Sequence, residues 1–268
     1  MDRFWVLFLM FTVYSFLGWA CESIFCSIPA GRFINRGFLN GPFCPIYGAG
    51  AMLILFFLAP LRDRPVLLFA AGVVTTSLLE YATGFALEKL FNTKYWDYSN
   101  HRFNFQGRVC LENSLMFGVM SLLVSEFADP AVSGLIGLIP KQALPFVSGG
   151  MILYFAFDAV LSAKEAAKLN GKLAELQQVL DEIRARAHAA GIETLEGLQA
   201  AIAGRLDENT KERIKALLEQ KDRLEHGIRL LQRRIIRAFP TMKSLRSNES
   251  LQRVRGILQI RVKKIRKK

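Results

Sequence analysis

Several acidic side chains lie within or at the ends of long apolar stretches, where a carboxylate needs a partner or a chemical role. Glu22 and Glu80 have apolar neighbours on both sides, and Glu88 lies two helical turns beyond Glu80 on the same face. An ionised carboxylate at the centre of a membrane helix costs about 3 kcal/mol, so such residues point to binding or acid–base chemistry. Glu112 and Asp158 lie nearer the ends of their stretches and could instead mark the headgroup level.

Two irregular loops could bring polar groups to the depth of these acids. Pro42 and Pro45 exclude a helix at the end of the first loop, residues 29–43, and the second, residues 91–110, mixes aromatic and polar residues. Non-helical backbone near a bilayer must be buried in protein or line a wet cavity, so both loops are expected to fold against the helices. The candidate substrate-binding residues are Glu22, Asn35, Arg36, Glu80, Glu88, Trp96, Asp97, Asn104, Arg108 and Glu112.

These residues also have a purely structural interpretation. Glu22 or Glu80 could form a buried ion pair with a loop arginine that only holds helices together. Trp96 is typical of an interfacial anchor and Asp97 of a turn. The sequence leaves open whether the acids converge on one site.

Motifs for nucleophilic catalysis, metal binding and nucleotide binding are absent from the sequence. It has no Walker motif and no HExxH, its four cysteines lack CxxC spacing, and its three histidines lie outside the apolar stretches. We therefore predict free thiols, no metal and no cofactor. Paired carboxylates alone can carry acid–base catalysis, so an enzyme is less favoured but stays open.

Apolar segments of membrane-spanning length would position these residues. A hydrocarbon core of about 30 Å needs about 20 helical residues, which predicts an all-α membrane protein with five spans in a transmembrane domain, residues 1–163. The proline-containing stretch 131–145 is either a sixth span or a re-entrant segment. The predicted spans lie near 4–28, 44–61, 66–90, 111–127 and 146–163.

The distribution of charge predicts the orientation of a multi-pass protein in the cell membrane. Residues 1–163 carry ten Lys or Arg and ten Asp or Glu, whereas residues 164–268 carry 25 and 13, a net charge of +12. By the positive-inside rule the C-terminus is cytoplasmic. Five spans then place the N-terminus outside and both polar loops inside, although Arg62 and Arg64 would be outside, against the rule.

The C-terminal part predicts two further regions. Apolar residues recur at heptad steps over 169–187 and 214–235, so residues 164–238 are expected to form a cytoplasmic helical hairpin, or a parallel coiled coil between the protomers of a homo-oligomer. Residues 239–268 hold ten Lys or Arg and one acid, and predict a basic amphipathic tail that binds anionic lipid headgroups. A disordered basic anchor is the alternative, and tethering to the membrane disfavours nucleic-acid binding.

Six motifs follow one another along the first part of the chain. They are Tyr14-Ser15-Phe16-Leu17-Gly18-Trp19-x-x-Glu22, Asn35-Arg36-Gly37-Phe38-Leu39-x-Gly41-Pro42, Pro45-Ile46-Tyr47-Gly48-x-Gly50, Leu79-Glu80-Tyr81, Trp96-Asp97-Tyr98-Ser99 and Asn104-x-x-Gly107. The set resembles the family of putative ABC-transporter type IV permeases, also called CmpB-like. Phe239-Pro240-x-Met242-Lys243-Ser244 is similar to the family's C-terminal end. The resemblance implies a multi-span permease, for which a partner subunit would supply the ATPase.

Three functions are compatible with these observations. The favoured one is a transporter or permease subunit with a polar site near the cytoplasmic leaflet. The alternatives are a membrane-embedded enzyme that acts on a lipid or headgroup through paired carboxylates, and a membrane-anchored scaffold that works through its coiled-coil tail.

Overall fold

A computed structural model describes residues 2–192 and 208–266, and most of them are helical. The connection predicted between the two heptad segments lies largely in 193–207, outside the described residues. In chain order the elements are helices α1 (Asp2–Ala30) and α2 (Pro45–Phe57), a 3₁₀ turn (Ala59–Leu61), α3 (Pro65–Phe91), strands β1 (Thr93–Lys94), β2 (Asn104–Phe105) and β3 (Val109–Cys110), α4 (Leu111–Leu123), a π turn (Val124–Ala128), α5 (Asp129–Gly137), α6 (Leu144–Ala189), α7 (Glu208–His226), α8 (Leu230–Ala238), β4 (Lys243–Ser244) and α9 (Asn248–Arg266).

Four of the described helices are long and apolar enough to cross a membrane: Arg3–Ala30, Pro65–Phe91, Leu111–Gly137 and Leu144–Ala189. The segment expected as the second span contains α2, which has only 13 residues. At 1.5 Å per residue such a helix is about 20 Å long, less than the hydrocarbon core. The number of five spans therefore stays a prediction.

The fourth helical segment is longer than expected. Residues 131–137 continue the helix that begins at Leu111, so they do not form a separate span there. The backbone widens into a π turn over Val124–Ala128, immediately before Pro130. The π turn already interrupts the regular hydrogen bonding just ahead of Pro130, which has no N–H to donate, and the helix continues as far as Gly137. The chain leaves the helix only at residues 138–143.

The chain folds into two units. One comprises Met1–Glu165 together with Arg234–Lys243, and the other Ala166–Arg233 with Ser244–Lys268. The first, called the membrane unit below, therefore includes ten residues from far downstream, which we call the return segment. The division at residues 163 and 238 expected from the sequence remains a prediction.

Small residues allow the helices of the membrane unit to approach closely. A Cβ atom on Gly48 of α2 would lie 2.2 Å from Ser15 Oγ and 2.6 Å from the carbonyl oxygen of Phe11, both on α1. A Cβ atom on Gly72 of α3 would lie 2.3 Å from Ser121 Oγ of α4. Such contacts are typical of helix packing in membranes, where lipid supplies no hydrophobic force between helices.

The outward faces of these helices are apolar and exposed. In each candidate span, at most 28% of the most apolar 18-residue stretch is buried within the protein. In water this surface would be unfavourable, whereas in a bilayer it is solvated by lipid. Large exposed apolar side chains include Phe25, Phe57, Val66, Phe146 and Leu153.

The second unit is built from helices. Glu182 of α6 binds Arg213 of α7 at 3.0 Å, and Gln220 of α7 donates to Glu175 of α6, so these two contacts run in antiparallel order. Helix α9 binds α6 through Arg184 and Glu249, 2.7 Å apart. The coiled coil and the oligomeric state stay predictions. Buried apolar residues of this unit include Leu169, Leu173, Leu176, Leu180, Ile214, Leu217, Leu251, Val254 and Leu258.

Candidate functional site

The first polar loop is held against the helices by Asp158, an acid buried on α6. The backbone N–H groups of Asn40 and Gly41 donate to its two carboxylate oxygens at 3.0 and 2.8 Å, and the Asn40 side chain adds a third hydrogen bond. A Cβ atom on Gly41 would lie 3.1 Å from Asp158 and would overlap the Tyr154 hydroxyl. The Gly-Pro of the motif thus lets the loop backbone approach the acid. Asp158 was not among the candidate binding residues.

Asn35 and Arg36 fasten the same loop to α1. Arg36 Nε lies 2.9 Å from Glu22 Oε1, and the Arg36 backbone N–H donates to Ser23 Oγ at 3.2 Å. The Asn35 carboxamide accepts a 2.8 Å hydrogen bond from the Trp19 indole. Both charged side chains are largely buried, with 16% of Arg36 and 26% of Glu22 exposed. Glu22 thus forms an ion pair with a loop arginine, which is the structural role that the sequence analysis offered as the alternative to solute binding.

The second polar loop contains a small antiparallel hairpin. Asn104 pairs with Cys110 and Phe105 with Val109, and Gln106 and Gly107 at the turn have positive φ. The Asn104 side chain accepts from the Gly107 N–H at 3.1 Å and donates to the carbonyl of His101 at 2.8 Å. Asn104 therefore shapes the loop from within.

Arg108, whose backbone is held by Trp96 of the same loop, connects this loop to α3. Arg108 Nη2 lies 2.7 Å from Glu88 Oε2, and its guanidinium lies over the rings of Tyr81 and Phe85 at 5.3 and 5.5 Å. The Trp96 indole donates to the carbonyl of Arg108 at 2.9 Å. The Arg108 side chain therefore balances the charge of Glu88. The sequence analysis had placed both residues among the candidates for one site.

Glu80 differs from the other acids of the membrane unit. Its side chain is buried, with 6% of the residue exposed, and Oε1 accepts a 3.1 Å hydrogen bond from the Tyr98 hydroxyl. Oε2 is buried and, among the residues that the structure describes, has no hydrogen-bond partner. The same part of the chain offers it no Lys, Arg or His within ion-pairing distance, whereas Glu22, Tyr98 and Cys110 lie close enough to interact electrostatically.

Glu112 is not brought to the other candidates. It lies in the first turn of α4 with 80% of its side chain exposed, and contacts His101 at 3.4 Å. The remaining candidates lie on the two loops or on the helix faces that those loops cover. We call Glu22, Glu80, Glu88 and the two loops the polar layer.

The return segment, Arg234–Lys243, contacts both loops of the polar layer. Arg234 donates to the carbonyl oxygens of Gly37 and Phe38 at 3.1 and 2.7 Å and to the Asn40 side chain at 3.1 Å. Lys243 Nζ lies 2.5 Å from Asp97 Oδ2. From the sequence, these residues were predicted to belong to the cytoplasmic part. The motif around Phe239, which is similar to the family's C-terminal end, was the one sequence feature that connected them with the membrane part.

Phe239 provides the apolar anchor of the return segment. Its ring centroid lies 5.0 Å from that of Tyr95, and the Arg36 guanidinium lies 5.3 Å from its centre. The Arg36 side chain also donates to the carbonyl of Ala238. Arg36 thus joins an acid of α1, the first loop and the return segment.

Electrostatics stabilise the charged form of Asp97. Burial would raise the pKa of this carboxyl, but hydrogen bonds from Lys243 and Ser99 outweigh it and hold the pKa below the ordinary aspartate value. For Arg234, burial lowers the pKa, and nearby Asp158 acts in the opposite direction. Within residues 2–192 and 208–266, no group of three or more His, Cys, Asp and Glu side chains could hold a metal ion.

Comparison with known families accounts for the motif-rich part of the chain. Residues 9–163 match the model of the family described as "Putative ABC-transporter type IV". The chain belongs to this family. The matched region contains most of α1, all of α2–α5, the first part of α6 and both polar loops, so it covers most of the membrane unit but not its return segment. No solved structure matches the chain. The family assignment and the apolar helices together make this a membrane protein.

Proposed function

We propose that this member of the ABC-transporter type IV family is the permease part of a transporter, and that the polar layer binds its solute near the cytoplasmic leaflet. Support comes from the family and from the concentration of buried polar groups where α1, α3 and both loops meet. In a bilayer such groups are costly unless they have partners or a function.

The observation that carries the proposal is the buried carboxylate of Glu80. Glu22 and Glu88 have arginine partners at 2.9 and 2.7 Å, so their charges are already used in holding loops. Glu80 has one oxygen on Tyr98 and one without a partner among the described residues. An acceptor left open beside an ion pair can receive a cation or a hydrogen-bond donor of a solute.

The proposed orientation follows from the basic residues. Both loops and the return segment would face the cytoplasm with the C-terminus, and the N-terminus would lie outside. The sequence contains no Walker motif of its own, so ATP hydrolysis would need a partner ATPase. That partner would dock on the cytoplasmic side.

The proposed role of the basic tail is narrower than the sequence suggested. Leu251, Val254 and Leu258 of α9 are buried, so this part of the expected lipid-binding face is already covered. Attraction to anionic headgroups would rest on the basic side chains, at about 1 kcal/mol for each one near the surface.

The enzyme alternative receives less support from the same geometry. Acid–base catalysis by two carboxylates needs one that is free to accept a proton and one that can donate it. Glu22 and Glu88 are each paired with an arginine, which leaves Glu80 alone in the described part of the layer. The scaffold alternative would rest on the second unit.

A growth or uptake assay tests the proposal. In cells that depend on this protein, Glu80→Gln should abolish activity while the protein still inserts and accumulates. Glu112→Gln is the matched control, because Glu112 is 80% exposed and should be replaceable without effect. Wild-type activity of Glu80→Gln would refute a solute site at this carboxylate.

A further inference from the structure

We propose that Glu80 is a proton-binding group, so that the solute handled by the polar layer includes a proton carried on this carboxyl. This inference rests on the proposed function of the polar layer and names one chemical species that binds there.

The first argument is the position of the carboxyl group. Glu80 is residue 16 of the 27 in α3, well inside a candidate membrane span, and is 6% exposed. Transfer of an ionised carboxylate into an apolar environment costs far more than transfer of the neutral acid, and such groups bind a proton when no cation neutralises them.

The second argument is the charge around it on each neighbouring element. From α1 it faces Glu22, whose charge is neutralised by Arg36 at 2.9 Å. From the second loop it faces the neutral hydroxyl of Tyr98 and the thiol of Cys110 at the end of β3. None of these groups supplies a positive charge, and burial disfavours the phenolate form of Tyr98, whose pKa is raised.

The third argument is a comparison with three other acids of the unit whose side chains are largely buried. Asp97 is bound by Lys243, Glu88 by Arg108, and Asp158 by two backbone N–H groups and the Asn40 amide. Each of these environments stabilises a carboxylate anion. Glu80 receives one hydrogen bond, from a neutral hydroxyl.

The proton balance is simple. Oε2 takes up a proton and the carboxylate becomes a neutral acid, while the Tyr98 hydroxyl keeps its own proton and continues to donate to Oε1. Release of the proton from Oε2 restores the anion. No oxidant, reductant or second reactant is needed.

Infrared difference spectroscopy of the purified protein in lipid, recorded across a pH titration, tests the inference. At pH 7 we expect the carbonyl band of a buried, protonated carboxyl group. The band should be absent from Glu80→Gln and unchanged in the control Glu112→Gln. A band that persists in Glu80→Gln, or no such band in the wild-type protein, would overturn the proposal, as would removal of the band by sodium or potassium at fixed pH.

A second variant guards against loss of folding in Glu80→Gln. Tyr98→Phe removes the one hydrogen bond to Oε1 and keeps the ring, so the band should persist at a shifted frequency. An unshifted band would assign it to another group and overturn the inference.

The results separate this inference from the proposed function. If the band belongs to Glu80 but Glu80→Gln is fully active, the proton site stands and the solute site fails. If Glu80→Gln is inactive but the wild-type protein has no such band, the solute site stands and the proton inference fails.

Discussion

At the scale of single residues, the acids of the membrane unit differ in what neutralises them. Glu22 and Glu88 pair with arginines of different loops, Asp158 binds backbone N–H groups, and Glu80 has only a tyrosine hydroxyl. Removal of one partner from a buried ion pair leaves an uncompensated charge, so the two arginines hold the loops in place as well as balancing charge.

Part of this pattern was readable from the sequence. The free-energy cost of a carboxylate in a membrane helix identified Glu22 and Glu80. The depth predicted for these acids in the bilayer connected them with the loop residues Arg36 and Arg108. Depth could not distinguish a paired acid from an unpaired one, because which arginine reaches which acid depends on the backbone path of the loops. It also could not show that Glu112 faces outward, since a carboxylate at the first turn of a helix has the same sequence environment either way.

Asp97 gives a pH-dependent prediction. Its folded-state pKa lies below the ordinary value of about 3.9, so its ionised form stabilises the fold at neutral pH, and that stabilisation is lost as the pH falls through the lowered pKa. Asp97→Asn should therefore destabilise the protein by roughly 1 kcal/mol at pH 7, since Lys243 is partly solvated. Thermal unfolding in detergent at pH 7 and at pH 3 measures this.

The matched control is Asp63→Asn, at an exposed position between the 3₁₀ turn and α3. It should leave the melting temperature unchanged at both pH values. The difference between wild type and Asp97→Asn should shrink at pH 3, and a difference independent of pH would show that the Asp97 charge does not hold the return segment.

At the scale of elements, glycines decide how closely helices pack. A Cβ atom on Gly48 would overlap α1, so the absence of a side chain there lets α1 and α2 approach each other. The partner of Gly48 could not be predicted, because one sequence does not show which helices are neighbours. The return segment was missed for the same reason: it is separated from the first loop by about two hundred residues of chain.

Gly48→Ala should destabilise the packing of α1 against α2. The added methyl group would lie 2.6 Å from a backbone oxygen that cannot rotate away, so we expect a loss of roughly 1–3 kcal/mol in the free energy of unfolding. Gly149→Ala in α6 is the control, since nothing lies within 4 Å of a Cβ atom there.

Thermal unfolding of the two purified variants compares them directly. Gly149→Ala should be neutral or slightly stabilising, because alanine favours the helix over glycine. Equal melting temperatures for the two variants would contradict the close α1–α2 contact.

At the scale of the whole molecule, hydropathy predicted the membrane class but not the lengths of the crossing segments. Helix α2 is short, yet Arg62 beyond it donates to the carbonyl of Ser125 and contacts Asp129 near the start of α5. The loop that precedes α2 binds Glu22 and Asp158 near the other ends of α1 and of the first part of α6. Residues 45–62 therefore run from the contacts of the first loop to those of Arg62, with the 3₁₀ turn extending the reach of α2.

All functional proposals depend on both polar loops lying on one side of the membrane. The rings of Phe38 and Tyr95, one from each loop, have centroids 5.5 Å apart, which requires it. Counting the basic residues alone could not place both loops on one side, because that placement depended on the assumed number of spans.

Labelling of single cysteines from either side of the membrane tests this central claim most directly. In a variant without the four native cysteines, Phe33→Cys and Phe103→Cys, both at exposed loop positions, should react with a membrane-impermeant thiol reagent only from the cytoplasmic side. Asp63→Cys should react only from the outside. Labelling of the two loop positions from opposite sides of the membrane would contradict the shared polar layer and every function proposed for it.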